Sequence, residues 1–212
     1  MIADQSQGII SPAARLAAGA VAVTAWTGMA VQFSASLDLA GSPGAALWVM
    51  LRYFTIIANL LAAFLFTGIM LRNRYASPRL LGGVVLAMLL VGVVYGLLLR
   101  GLLELSGGAR LADLLLHSVT PVLVPLYWLV FARTGELSRS DPWLWCLLPL
   151  LYFGYALARG VAEGIYAYPF MNVARLGWPQ TVANAVLMAL GFLTAGYVLV
   201  GLDRLPRRSK AK

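Results

Sequence analysis

The chain has 212 residues, 61% of them hydrophobic and only 11% charged, with a formal net charge of +8 and a single cysteine. That composition excludes a soluble domain, in which about a quarter of the residues are charged. Nucleic acid is set aside as a partner, because the basic residues sit in short loops and at the C-terminus, where they set orientation and meet anionic headgroups.

The lone Cys146 cannot close an intramolecular disulfide, and no paired Cys/His spacing for a metal is present. The apolar residues fall in blocks of about 20, the length that crosses a hydrocarbon core of roughly 30 Å. The expected class is therefore all-α, a polytopic integral membrane protein with six transmembrane helices. A β-barrel would show short alternating segments instead.

Residues 1–12 form a polar lead ending in Ser11-Pro12, a helix start. With Asp4 in that lead, the pattern argues against a cleaved signal peptide. A single domain of six spans is expected over residues 13–202, followed by a basic tail at 203–212. Span one covers about Ala13 to Ser34, and Asp38 to Gly44 is a loop. Span two covers about Ala45 to Leu71.

Span three, about Arg79 to Arg100, carries Gly82, Gly83, Gly92 and Gly96, which let helices approach closely. Span four, about Leu111 to Phe131, contains Asp113, His117, Thr120, Pro121 and Pro125, and its prolines predict a kink. Span five covers about Pro142 to Ala158. Arg159 to Trp178 is the longest loop, its Tyr166, Tyr168, Phe170 and Trp178 suited to the headgroup level. Span six covers about Pro179 to Leu202.

An even number of spans puts both termini on one side. That side collects Arg15, Arg72, Arg74, Arg79, Arg133, Arg139, Arg204, Arg207, Arg208, Lys210 and Lys212. The other holds Arg52, Arg100, Arg110, Arg159 and Arg175. The asymmetry predicts cytoplasmic termini.

Span two contains Arg52, Thr55 and Asn59, spaced by three and four residues and hence on one helical face. Polar groups in hydrocarbon are costly unless paired or functional. With spans two and four both entered from the outer face, Thr55 lies about ten residues deep and His117 about six, or roughly 15 Å and 9 Å at the helical rise.

A histidine beside a threonine can take its proton and return it to a leaving alcohol, the chemistry of an acyl-threonine hydrolase. Asp113, four residues before His117, is the candidate to orient the ring. Asn59 is a candidate oxyanion donor and Arg52 a candidate carboxylate ligand. The plainer alternatives are that Thr55 bonds its own helix backbone, Arg52 snorkels and Asn59 staples two helices.

Phe54-Thr55-Ile56-Ile57-Ala58-Asn59-Leu60 resembles the F-T-x-x-[ST]-N-L motif of the androgen-induced and androgen-dependent membrane hydrolase family and of its bacterial six-span relatives. His117-Ser118-Val119-Thr120-Pro121, Tyr127-Trp128-Leu129-Val130-Phe131 and Tyr168-Pro169-Phe170-Met171-Asn172 are similar to the bacterial branch. The matches cover spans two to six in order.

The resemblance implies a six-helix membrane fold and, from the animal members, a threonine hydrolase that cleaves fatty acid esters of hydroxy fatty acids. Its catalytic Thr and His map onto Thr55 and His117. It needs no cofactor or metal, its partners are membrane lipid and a lipid ester substrate, and the bacterial branch implies the inner (cytoplasmic) membrane. Two positions depart from the pattern: Ala58 replaces a small hydroxyl residue, and Tyr127 an acidic residue beside Trp128. Two other readings stay open, a non-enzymatic lipid-binding or transport protein and a haem or quinone protein using His117.

Overall fold

The computed structural model describes residues 8–102 and 104–205. Among these, six helices are long and apolar enough to cross a membrane: Pro12–Ala40, Phe54–Arg72, Pro78–Leu99, Gly107–Phe131, Asp141–Glu163 and Val173–Asp203. The architecture is that of an all-α integral membrane protein. Residues 1–7 of the polar lead, and Arg207, Arg208, Lys210 and Lys212 of the basic tail, lie outside the described residues.

Helix α1 (Pro12–Ala40) starts as expected, with the Ser11 hydroxyl accepting from the Ala14 N–H at 3.1 Å and Pro12 in the first turn. It outruns the predicted span and takes in Asp38. The first residue to stop it is Gly41, in the left-handed region at φ 74°.

The largest departure from expectation concerns span two. The sequence from Ala45 to Leu71 reads as one apolar run, but it is divided. A short helix α2 (Pro43–Met50) ends in a turn at residues 51–53, and α3 (Phe54–Arg72) begins afterwards with Tyr53 in an extended conformation at φ −103°, ψ 132°. Arg52 is therefore in a turn, and the expectation of one helical stripe from Arg52 to Asn59 is corrected to Thr55 and Asn59 alone.

Helix α4 (Pro78–Val94) runs on through a π-helical turn at Tyr95–Leu99. Span four is built from α5 (Gly107–Leu114), a second π turn at Leu115–Val119 and α6 (Thr120–Phe131). Helix α7 (Asp141–Glu163) extends past the predicted end, so Arg159 is helical and buried, not in a loop. The loop is correspondingly shorter, with a 3-10 turn at Pro169–Met171. Helix α8 (Val173–Asp203) follows, broken at Gly177 with φ 74°.

Packing follows the rule for helices in lipid, where small residues let backbones close up. The buried face of α1 is Ala14, Ala18, Val21, Ala22, Ala25 and Gly28, set against α3, whose buried face includes Ala58, Ala62 and Ala63. A Cβ on Gly28 would stand 2.7 Å from Leu116 Cδ2, so α1 also lies directly against the second π turn.

The span-three glycines act largely as expected. A Cβ on Gly82 or Gly83 would come within 2.7 or 2.8 Å of the Trp145 ring, and one on Gly92 within 3.2 Å of Pro121; Gly96 has nothing within 4 Å. The described ends of the chain share one end of the bundle. Arg15 Nε donates to Met70 O at 2.9 Å, Arg133 lies 4.5 Å over the Tyr75 ring, and the Gly135 N–H donates to Asp203 O at 2.9 Å.

Candidate functional site

Thr55 is the second residue of α3, and its position follows from the break before it. Threonine in a helix ordinarily turns its hydroxyl onto the carbonyl four residues back. Thr24, Thr181 and Thr194 do so, bonding Ala20 O, Gly177 O and Leu190 O at 2.8–2.9 Å. Thr55 stands in the first turn, where residue 51 is not part of the helix. Its hydroxyl is directed elsewhere, with Oγ1 3.1 Å from His117 Nε2.

The depths inferred from sequence are thereby corrected. Thr55 is at the start of its helix and His117 lies in the turn between α5 and α6, well inside its own span, and the two still meet. Thr55 is buried at 5% exposure.

His117 occupies the π turn, a wider coil that re-aims side chains and recurs at functional sites. The turn also accounts for Asn59. In π registry the Thr120 N–H bonds Leu115 O, so the next carbonyl, Leu116 O, would take the N–H of residue 121. Residue 121 is proline and has none.

Asn59 Nδ2 supplies the missing donor at 3.1 Å, and its other hydrogen goes to Thr55 O at 2.9 Å. Both donors of this fully buried amide are therefore committed to backbone carbonyls. The expectation that Asn59 donates to an oxyanion is corrected. The residue is a clamp between α3 and the histidine turn.

Asp113 does lie beside the ring, one turn earlier. Its Oδ1 is 3.0 Å from His117 Nδ1, off the line of an aligned hydrogen bond, so the contact is chiefly one of charge. The other carboxylate oxygen accepts the hydroxyl of Tyr95, whose ring stacks on the imidazole with centroids 4.4 Å apart and planes at 15°. Tyr95 belongs to the first π turn and was missed in the sequence, where nothing ties the end of span three to His117.

Tyr168, expected at the headgroup level, packs against the start of α3. Its phenol oxygen accepts the Phe54 N–H at 3.0 Å and lies within the influence of the Thr55 hydroxyl and backbone. Since α3 has no side-chain cap of its own, this phenol acts as one. Burial pushes the phenol above its ordinary range, so it stays protonated near neutral pH and keeps a hydrogen to donate.

Arg52 does not reach into the site. It pairs with Glu163 at 2.6 Å, and its carbonyl accepts the Tyr152 hydroxyl at 2.8 Å. The carboxylate expected for Arg52 is thus, in part, the protein's own.

Thr55 also lines a cleft between α3, α4, α7 and α8 that measures about 700 Å³ with its mouth included. Its walls are apolar, with Val91, Cys146, Phe153, Met188 and Phe192 among them, and polar groups come only from the Thr55, Tyr152 and Tyr168 end. Leu150, 48% exposed, stands on its lipid-facing margin.

Neither ring nitrogen of His117 is open to an axial ligand, because Nε2 faces Thr55 and Nδ1 faces Asp113. Among the described residues no group of three His, Cys, Asp or Glu side chains is arranged to hold a metal ion. No family model, curated protein or solved structure matches the chain.

Proposed function

We propose that the protein is an intramembrane hydrolase of a lipid ester, with Thr55 as nucleophile and His117 as general base. The observation that carries this reading is the 3.1 Å approach of Thr55 Oγ1 to His117 Nε2 at the polar end of an apolar cleft. Asp113 beside Nδ1 favours the tautomer with hydrogen on that nitrogen, which leaves Nε2 to accept the threonine proton. Tyr95 holds the ring by stacking and holds Asp113 by its hydroxyl.

Thr55 Oγ1 attacks the ester carbonyl as its proton passes to Nε2. The developing oxyanion is met by the Tyr168 hydroxyl, a neutral donor beside the nucleophile. Collapse breaks the bond to the alcohol, which takes the proton back from His117. Water, activated by the same nitrogen, then releases the acid and restores Thr55.

The acyl chain occupies the cleft and arrives sideways from the bilayer past Leu150. The resemblance of the Phe54 to Leu60 motif to the membrane threonine hydrolases supports a fatty acid ester of a hydroxy fatty acid as substrate. The excess of arginine at the end of the bundle holding Arg15, Arg72 and Arg133 supports cytoplasmic termini, and the motifs shared with the bacterial branch support the inner membrane.

The test is intact-protein mass spectrometry after exposure to an alkyl fluorophosphonate. A single adduct on Thr55, lost in both Thr55→Ala and His117→Ala, is expected. An adduct that persists in His117→Ala would refute the activated pair. No adduct in a protein that binds lipid would favour the non-enzymatic lipid-binding or transport reading.

A further inference from the structure

Above the cleft, where α2, α3 and α7 meet, two arginines share one carboxylate. Glu163 Oε2 accepts from Arg52 Nη2 at 2.6 Å, and Oε1 accepts from Arg159 Nε at 2.7 Å and from Trp48 Nε1 at 3.0 Å. The Arg159 guanidinium lies 3.9 Å over the Trp48 ring, and its Nη1 bonds the Tyr155 hydroxyl at 3.0 Å.

Both arginines are buried, with side chains 9% and 4% exposed. Each retains one buried nitrogen, Arg52 Nε and Arg159 Nη2, without a hydrogen-bond partner. Two guanidiniums against one carboxylate leave the cluster with a net positive charge and two unused donors. A buried, unmatched cation is expensive, and an anion satisfies it.

The cluster is continuous with the proposed site. Arg52 precedes Thr55 by three residues, so their Cα atoms are at most about 11 Å apart. Tyr152 joins the two, its ring lining the cleft and its hydroxyl bonding Arg52 O. Along α7 the order is Cys146 in the cleft wall, then Tyr152, then Arg159 and Glu163. Cys146 to Arg159 spans about 20 Å of helix axis. An apolar wall, a nucleophile and a cationic end thus follow one another along a single line.

We infer that Arg52 and Arg159 bind the anionic group, carboxylate or phosphate, of an amphiphile whose apolar chain lies in the cleft. This deepens the hydrolase reading, on which it rests for the identity of that amphiphile as substrate. The ester cleaved at Thr55 bears a negative charge on the half that faces the cluster.

Binding is measured on the Thr55→Ala protein in neutral detergent, so that turnover plays no part, with tritiated palmitic acid and its methyl ester. The acid is expected to bind about tenfold more tightly than the ester, as a charge-assisted pair supplies. Arg159→Gln brings the acid down to the affinity of the ester and leaves the ester unchanged, which also shows that the variant is folded. Glu163→Gln frees both arginines and tightens binding of the acid.

A cluster that serves only to tie α2 to α7 would behave otherwise, losing acid and ester binding alike in both variants. That result overturns the inference, as does equal affinity for acid and ester in the parent. Inorganic phosphate at the same concentration as palmitate, lacking the chain, is expected to leave palmitate bound. If it displaces palmitate, the anion is held without its chain and the link to the cleft fails. None of these results depends on an adduct at Thr55, so the hydrolase reading fails separately.

Discussion

Replacing Asn59 with leucine tests whether this amide positions the proposed catalytic pair, Thr55 and His117. Of its two hydrogen bonds, the one to Thr55 O is a supplement, because that carbonyl also has the ordinary helical donor four residues on. The one to Leu116 O has no substitute, since residue 121 is proline. Interhelical hydrogen bonds in membranes average about 0.6 kcal/mol and reach about 1.7. The orphaned carbonyl puts this loss near the upper end, about 1–2 kcal/mol.

At the usual scaling for a chain of this length that is a fall in Tm of roughly 2–8 °C. Activity should suffer far more, since an error of about 1 Å between reacting groups costs on the order of a hundredfold. Melting followed with a thiol-reactive dye on buried Cys146, beside turnover of a chromogenic long-chain ester, reads both. Turnover within about threefold of the parent would refute the clamp as a positioning device. A hundredfold loss with no change in Tm would instead restore Asn59 as a direct donor to the oxyanion.

Three further outcomes are expected. Tyr95→Phe keeps the ring stack and removes the hydroxyl from Asp113, lowering kcat about tenfold, or ~1.4 kcal/mol; Tyr95→Leu, which also removes the stack, should be worse by the same assay. Tyr168→Phe takes away the donor beside Thr55 and should cut kcat about a hundredfold with KM nearly unchanged. Gly83→Ala drives a methyl group to 2.8 Å from Trp145 Cδ1. It should cost about 1–3 kcal/mol of stability in a melting experiment while turnover per folded molecule stays the same.

The spans were legible because hydrocarbon imposes a length and a composition that no soluble helix shares. Thr55, His117 and Asp113 were legible as chemistry, and their meeting as an arrangement the depths allowed. What escaped notice had no residue signature. The turn at residues 51–53 contains no Gly or Pro, and only Arg52 marks it. A π turn differs from an α turn by one step of hydrogen-bond registry, which side-chain identity does not announce, so Tyr95 was not placed beside His117. Tyr168 escaped because what brings it to α3 is the folding back of a loop, a relation between distant segments. Asn59 was misjudged in role though not in place, because its acceptor is created by Pro121 on another span.

The two π turns bear on how such a site is inherited. A π turn holds one residue more than the α turn it interrupts, and the rest of the helix proceeds as though nothing had been added. Tyr95 and His117 each occupy such a turn, and their rings meet. Loss of a single residue from either turn would preserve every membrane-crossing helix and still swing one ring out of the stack. Two chains of this architecture can therefore agree in hydropathy profile and in residue identity around the site, and differ in activity by one position of length.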